Sequence, residues 1–309
     1  TAPRWSPDGT KLLFSSSLTY AQVRAALEKS GADAKPRWNL EKPGRTANDT
    51  KIYDLKKKSG DGAKPDPESP SVAAEKADGS LQDRREWLAK NEADGNPRSL
   101  DRLNFQDEHD INPEQTFDHL FVQELRDGAE AKDLTPGYTS FSGGEWTADG
   151  KSALCSGPRK LDEHPDRNEA TDLYAADAAG GGVKLFLDLK GYSTASPKPS
   201  PDGRLVALTA TLGDAFGYTQ AAVAVMPASG GEPRLLTEKL DRSAGSLHWS
   251  DDSSSVYFVA ATEGGFPLYR VNAQSGATER LSPSLETGVR AYDLARGTLL
   301  RAAAAGHAA

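Results

Sequence analysis

Short runs of alternating apolar and polar residues recur along this chain, and they come in pairs joined at an Asp-Gly turn. The first pair is Pro3-Arg4-Trp5-Ser6-Pro7-Asp8-Gly9-Thr10-Lys11-Leu12-Leu13-Phe14. The second runs from Glu145-Trp146 through Asp149-Gly150 to Leu154, and the third from Lys198-Pro199 through Asp202-Gly203 to Leu208. The fourth runs from His248-Trp249 through Asp252-Ser253 to Phe258, with Ser253 in the glycine place. Alternation at period two predicts half-buried strands, and Asp-Gly supplies the positive φ that a tight hairpin turn demands.

The turn aspartates Asp8, Asp149, Asp202 and Asp252 are separated by 141, 53 and 50 residues. After each later hairpin comes a third apolar run: Asp172–Asp177, Ala222–Met226 and Pro267–Val271. A glycine turn follows at Gly180-Gly181-Gly182, Gly230-Gly231 and Ser275-Gly276, and then a last short run at Val183–Leu187, Arg234–Thr237 and Thr278–Ser282. Four short strands repeating near every fifty residues predict an all-β fold, a β-propeller with about four to five four-stranded blades in view. An ordinary sandwich with chance Asp-Gly turns would not keep four copies in phase.

The long first interval predicts an insertion. From about residue 18 to 116 the strand rhythm stops. Tyr20–Lys29 has Val23 and Leu27 at helical spacing, with Gly31 placed to end a helix. Lys51–Leu55 is strand-like, Gly60–Ser80 is a polar loop, and Leu81–Lys90 is a second helix candidate carrying Trp87 and Leu88. Strand character returns at His119–Leu125, followed by the turn Arg126-Asp127-Gly128 and by Ala131–Gly137. These read as the third and fourth strands of the blade that opened at Trp5. The insertion then lies inside that first blade; the alternative is two blades with degraded signatures, counting Lys51–Leu55 as an outer strand.

Composition narrows the function. The chain has 309 residues with 29 Gly and 19 Pro, which suits many turns. A net charge of −8 and a pI near 5.3 repel a phosphate backbone, so nucleic acid is not an expected partner. No apolar run is long enough to span a membrane. Cys155 is the single cysteine; it falls on a predicted strand and reads as a buried structural thiol. The chain starts at Thr1 directly inside a hairpin, with no leader-like segment. It closes with Arg290–Leu294, a turn at Gly297 and an Ala-rich stretch from Ala302 to Ala309. Neither end resembles the closure of a propeller, so a piece of a longer protein is expected.

The repeat Trp5-Ser6-Pro7-Asp8-Gly9 and its copies resemble those of TolB-like proteins and of the propellers of prolyl oligopeptidase-family serine peptidases. Further stretches resemble the bacterial acylaminoacyl-peptidase and dipeptidyl-peptidase-like branch. They are Leu100–Leu103 leading to His119–Val122, Asp133-Leu134-Thr135-Pro136-Gly137, and Leu240–Ser250. The resemblance implies a propeller placed over a C-terminal α/β-hydrolase domain, admitting short peptides to a serine nucleophile in a G-x-S-x-G elbow. No G-x-S-x-G occurs here, so no catalytic residue is assigned and the chain alone is expected to be inactive. Its implied role is gating, for a parent that is a serine peptidase with any homo-oligomer formed through its hydrolase domain. No cofactor is implied, and the resemblance points to a periplasmic or secreted setting, with the cytoplasm as the alternative. The alternative is a stand-alone TolB-like propeller that binds proteins.

The remaining chemistry candidates are modest. The histidines are His109, His119, His164, His248 and His307; they suggest no triad. Asp107–Asp110 and Asp162–Asp166 offer ligands for a hard cation but lack the spacing of a calcium loop, so no metal is expected. No Glu-Glu pair is present to hold a substrate amino group. Glu86 and Glu92 read as exposed helix charges, and Lys56-Lys57-Lys58 as a solvated run. Trp5, Trp146 and Trp249 share one repeat place and are expected between blades, whereas Trp38 and Trp87 are freer to act at a surface.

Overall fold

The computed structural model describes residues 3–36, 38, 80, 85, 115–167, 170–213, 219–262, 265–282, 289–295 and 298–303. The elements below belong to the unit formed by Thr1–Pro36 and Glu114–Ala309. The expectations for Lys51–Leu55, Lys56–Lys58, Leu100–Leu103, Asp107–Asp110, Glu86, Trp87, Glu92, Gly297 and His307 fall outside the described residues. So do those for Gly60–Ser80 and Leu81–Lys90, apart from Ser80 and Arg85.

The described chain forms successive four-stranded antiparallel sheets, each built from strands adjacent in sequence. The first holds β1 (Arg4–Trp5), β2 (Lys11–Thr19), β3 (Thr116–Glu124) and β4 (Lys132–Asp133). The second holds β5 (Ser142–Trp146), β6 (Ser152–Pro158), β7 (Thr171–Asp177) and β8 (Val183–Leu187). The third holds β9 (Tyr192–Pro199), β10 (Leu205–Leu212), β11 (Ala221–Pro227) and β12 (Arg234–Leu235). The fourth holds β13 (Ala244–Trp249), β14 (Ser255–Ala260), β15 (Leu268–Asn272) and β16 (Thr278–Arg280), and a hairpin of β17 (Val289–Ala295) and β18 (Thr298–Ala303) follows. This is the partial all-β propeller expected from the repeat.

β2 pairs directly with β3, from Lys11↔Glu124 to Thr19↔Thr116, so residues 20–115 connect two neighbouring strands of one sheet. That connection opens with α1 (Tyr20–Ser30). Thr19 and Gln22 cap it reciprocally, side chain to backbone, and Gly31 ends it at φ 76°. Val23 is its buried residue, while Leu27 is half-buried.

Each first hairpin is held by the same lock. In every copy five residues join the strands, for example Ser200–Arg204 between β9 and β10. The Ser200 hydroxyl accepts the Leu205 N–H (3.0 Å) and donates to Asp202 Oδ1 (2.6 Å), which also accepts the Arg204 N–H (3.0 Å). Ser6 with Asp8, Thr147 with Asp149 and Ser250 with Asp252 repeat this pattern. The hydroxyls and backbone N–H groups hold the Asp8 and Asp252 carboxyls down at about 2. The fourth turn residue is left-handed throughout: Gly9, Gly150, Gly203 and, at φ 60°, Ser253.

The core lies between successive sheets. Leu13, Leu120 and Val122 meet Phe141, Trp146 and Cys155; Leu154 and Leu173 meet Val206, Leu208 and Met226; Val223 and Val225 meet Trp249, Val256 and Phe258. Leu268 meets Val289 and Tyr292 of the hairpin. The middle strands of the second and third sheets are therefore buried on both faces, which explains the continuous apolar run Ala153-Leu154-Cys155, whereas β2 of the first sheet fully buries only Leu13. Removing most of one such side chain, as in Leu154→Ala, costs about 2–5 kcal/mol.

The turns also touch across sheets. A Cβ on Gly203 would lie 2.6 Å from the Ala148 Cβ of the preceding turn, whereas a Cβ on Gly9 meets nothing within 4 Å. Both glycines sit at φ 70°. Gly9→Ala is therefore expected to cost only the backbone term, about 1–2 kcal/mol, and Gly203→Ala distinctly more, read from urea unfolding midpoints. Equal losses would show that the turns do not pack on one another.

Candidate functional site

The first strands of successive sheets lie side by side, β1 next to β5, β5 next to β9, β9 next to β13 and β13 next to β17. Three of them carry the same irregularity. Against its β-hairpin partner, two residues of the first strand oppose one, between Ser142 and Glu145, Ala195 and Lys198, and Gly245 and His248. The residue that makes this possible is left-handed: Gly143, Ser196 and Ser246 at φ 73°, 54° and 54°. A bulge of this kind adds twist and re-aims the side chains beside it. Here the side chain two residues past the left-handed position is charged or titratable in every case: Glu145, Lys198 and His248.

These groups converge, together with Arg4 of β1 and Asp293 of β17. Glu145 Oε1 receives Arg4 Nε at 3.2 Å and also pairs with the Lys198 ammonium. His248 Nδ1 stands 4.0 Å from Asp293 Oδ1, and its ring packs on Tyr292 with centroids 4.7 Å apart. The result is one charged or titratable group from each sheet, gathered where the first strands meet. Burial pushes the His248 imidazole below its usual value, Lys198 and Arg4 push it the same way, and Asp293 and Glu145 oppose them. The Tyr292 hydroxyl donates to the Ser246 carbonyl, and burial raises it above the ordinary phenol range.

The tryptophans tie this ring to the packing. Trp146 Nε1 donates to the Arg4 carbonyl at 3.1 Å, and Trp249 Nε1 to the Lys198 carbonyl at 2.7 Å. Each indole thus binds the backbone of the ring residue on the preceding sheet, as expected for a blade-to-blade role. Both are buried, at 7% and 8% exposure. Trp5 is 63% exposed. Among the described residues no strand stands against Trp5 as β1 stands against Trp146.

The other candidates are structural. His119 is fully buried, with Nδ1 2.7 Å from Asp133 Oδ2 and Nε2 2.7 Å from the Gly137 carbonyl, so neither ring nitrogen is left for a serine. The stretch Asp133–Gly137 acts as a clip: Thr135 Oγ1 accepts the Leu120 N–H at 3.0 Å, as Thr237 does for Val223 and Ser282 for Leu268. His164 accepts the Asp166 N–H within its own loop, and Lys160 pairs with Glu163. Among the described residues no three His, Cys, Asp or Glu are grouped to hold a metal. Cys155 is fully buried, and desolvation pushes its thiol up to about 12. An open apolar hollow of about 310 Å³ lies beside Tyr138, Phe141, Pro158 and Pro165.

Of this site, sequence reasoning placed Trp146, Trp249 and the strand histidines, but it wrongly put Trp5 between blades and missed the ring. The available signal was the residue immediately before the Trp or Pro of each repeat, which reads Arg4, Glu145, Lys198, His248.

No family model matches the chain. It is 21% identical to Dipeptidyl-peptidase 5 of Porphyromonas gingivalis over 180 residues, 54% of this chain and 26% of that protein. It is 28% identical to an uncharacterized protein of Agrobacterium fabrum over 146 residues, 46% of this chain and 43% of that one. The chain thus spans a quarter to under a half of the curated relatives it matches. Among solved structures, the acylaminoacyl peptidase of Pyrococcus horikoshii superposes with a TM-score of 0.53 at 13% identity, covering 98% of this chain and 35% of that one. That likeness shows the fold. The resemblance drawn from the repeats, to the propellers of such peptidases, is what these comparisons return.

The histidine and the thiol give two expectations. The folded state favours neutral His248, so its contribution to stability is present above about pH 6.5 and lost as the pH falls through the lower folded value. Urea midpoints at about pH 7.5 and 5 should therefore fall less for His248→Asn than for the parent chain. Cys155 should resist an aromatic disulfide reagent at about pH 8 and react fully once the chain is unfolded. Rapid labelling of the native chain would contradict the burial.

Proposed function

We propose that this chain is the propeller portion of a serine exopeptidase or oligopeptidase of the prolyl oligopeptidase type. In this reading it gates and shapes the access of short peptides to an α/β-hydrolase domain that this chain does not contain. The observation that carries it is the match with a dipeptidyl peptidase over 180 residues of a chain whose own repeats are propeller sheets. The physical argument is steric. In this reading the first strands of sheets locked to one another by indole–carbonyl bonds and ion pairs would border the access route, admitting an extended peptide and excluding a folded domain. The insertion at about 18–116 is read as part of the first blade. Acyl transfer through a seryl intermediate would be performed elsewhere in the parent.

The test is an assay of the parent protein with dipeptidyl- and acylaminoacyl-chromophores, with and without a serine-reactive phosphonate. Inhibitable hydrolysis is expected in the parent and none in this chain alone. In the parent, Trp146→Ala should loosen the junction of the first two sheets and raise cleavage of larger substrates relative to dipeptides. A parent without inhibitable activity overturns the reading and leaves a TolB-like protein-binding propeller.

A further inference from the structure

The ring at the first strands has an imbalance that the gating role does not use. Glu145 is shared between two cations, Arg4 and Lys198, so these three groups carry one surplus positive charge. Next to them stands His248, held neutral by burial and by the same two cations, and beyond it Asp293. The side chains remain accessible, Arg4 at 46% and His248 at 33%, while their neighbours Trp146, Leu247 and Trp249 are buried. Positions are fixed by backbone: bulges aim Glu145, Lys198 and His248, and tryptophan hydrogen bonds hold the Arg4 and Lys198 carbonyls. A preorganised group of this kind binds without the ordering cost that exposed lysines carry.

We propose that the ring of Arg4, Glu145, Lys198 and His248 is a binding site for a monoanionic carboxylate, the C-terminal carboxylate of a peptide entering end-on. Arg4 engages Glu145 through Nε, which leaves the guanidinium's terminal N–H groups to form a planar fork for a second carboxylate. Lys198 adds a point charge, and His248 gains a proton as the bound anion favours its charged form. Arg4 and Lys198 offer cationic contacts for one carboxylate, and the Glu145 and Asp293 oxygens disfavour a dianion such as phosphate. The inference rests on the reading that peptides approach along the first strands, and it adds which end of the peptide is recognised.

The test uses the full chain with triglycine, triglycinamide, acetate and inorganic phosphate, followed by calorimetry and by the His248 ring resonances. Triglycine should bind at least tenfold more tightly than triglycinamide, acetate should compete with it, and the His248 midpoint should rise on binding. Lys198→Met should weaken triglycine tenfold or more. Glu145→Gln, which removes the competing carboxylate, should tighten it several-fold, a gain that a misfolded variant cannot imitate. Equal binding of acid and amide, no binding of either, or tighter binding of phosphate would overturn the site. None of those results touches the gating reading, which stands or falls on the inhibitor assay of the parent.

Discussion

A four-stranded twisted sheet with apolar side chains on both faces cannot bury either face by itself. That constraint governs this molecule. A sheet flanked on both sides has mostly apolar middle strands, as β6, β7, β10 and β11 do, and polar chemistry is driven to the turns and to the first strands. Leu154 faces the third sheet and Cys155 the first, on consecutive residues of β6. The same stacking gives the indoles their partners. An N–H buried between sheets needs an acceptor, and the carbonyl of the preceding sheet is the one within reach.

The two ends of the sheets are built to different rules. At one end five-residue turns are closed by a hydroxyl, a carboxylate and a left-handed residue, and they tolerate little change. At the other end the connections run from four residues, 188–191, to the long stretch 20–115. The widest variation falls at the end away from the hydroxyl–carboxylate lock. Loops carried by a rigid scaffold are where binding surfaces vary most freely.

Much of this was legible in the residues, and the exceptions have physical causes. The period of fifty, the turns, the helix cap at Gly31 and the buried thiol all follow from local chemistry. The ring did not, because its members lie about fifty or more residues apart and only the bulges bring them together. A bulge is a property of pairing between strands, and alternation alone cannot register it. Ser196 and Ser246 give no sign in the sequence that they adopt a conformation usually left to glycine. Trp5 shows the same limit from the other side: its repeat place equals that of Trp146, yet its burial depends on what stands beside β1. Asp133–Gly137, which helped identify the family resemblance, proves to be a clip for His119 and Leu120.

The indole bonds to Arg4 and Lys198 have one more consequence. They use the carbonyl oxygens of these residues and ignore the side chains. Architecture and chemistry are thereby written on different atoms of the same residue. A lineage that exchanged the side chain at this position would keep the indole–carbonyl bond while giving up the pair with Glu145 and changing the charge at the centre. Such a scaffold can change what it recognises one side chain at a time, without first having to survive a loss of fold.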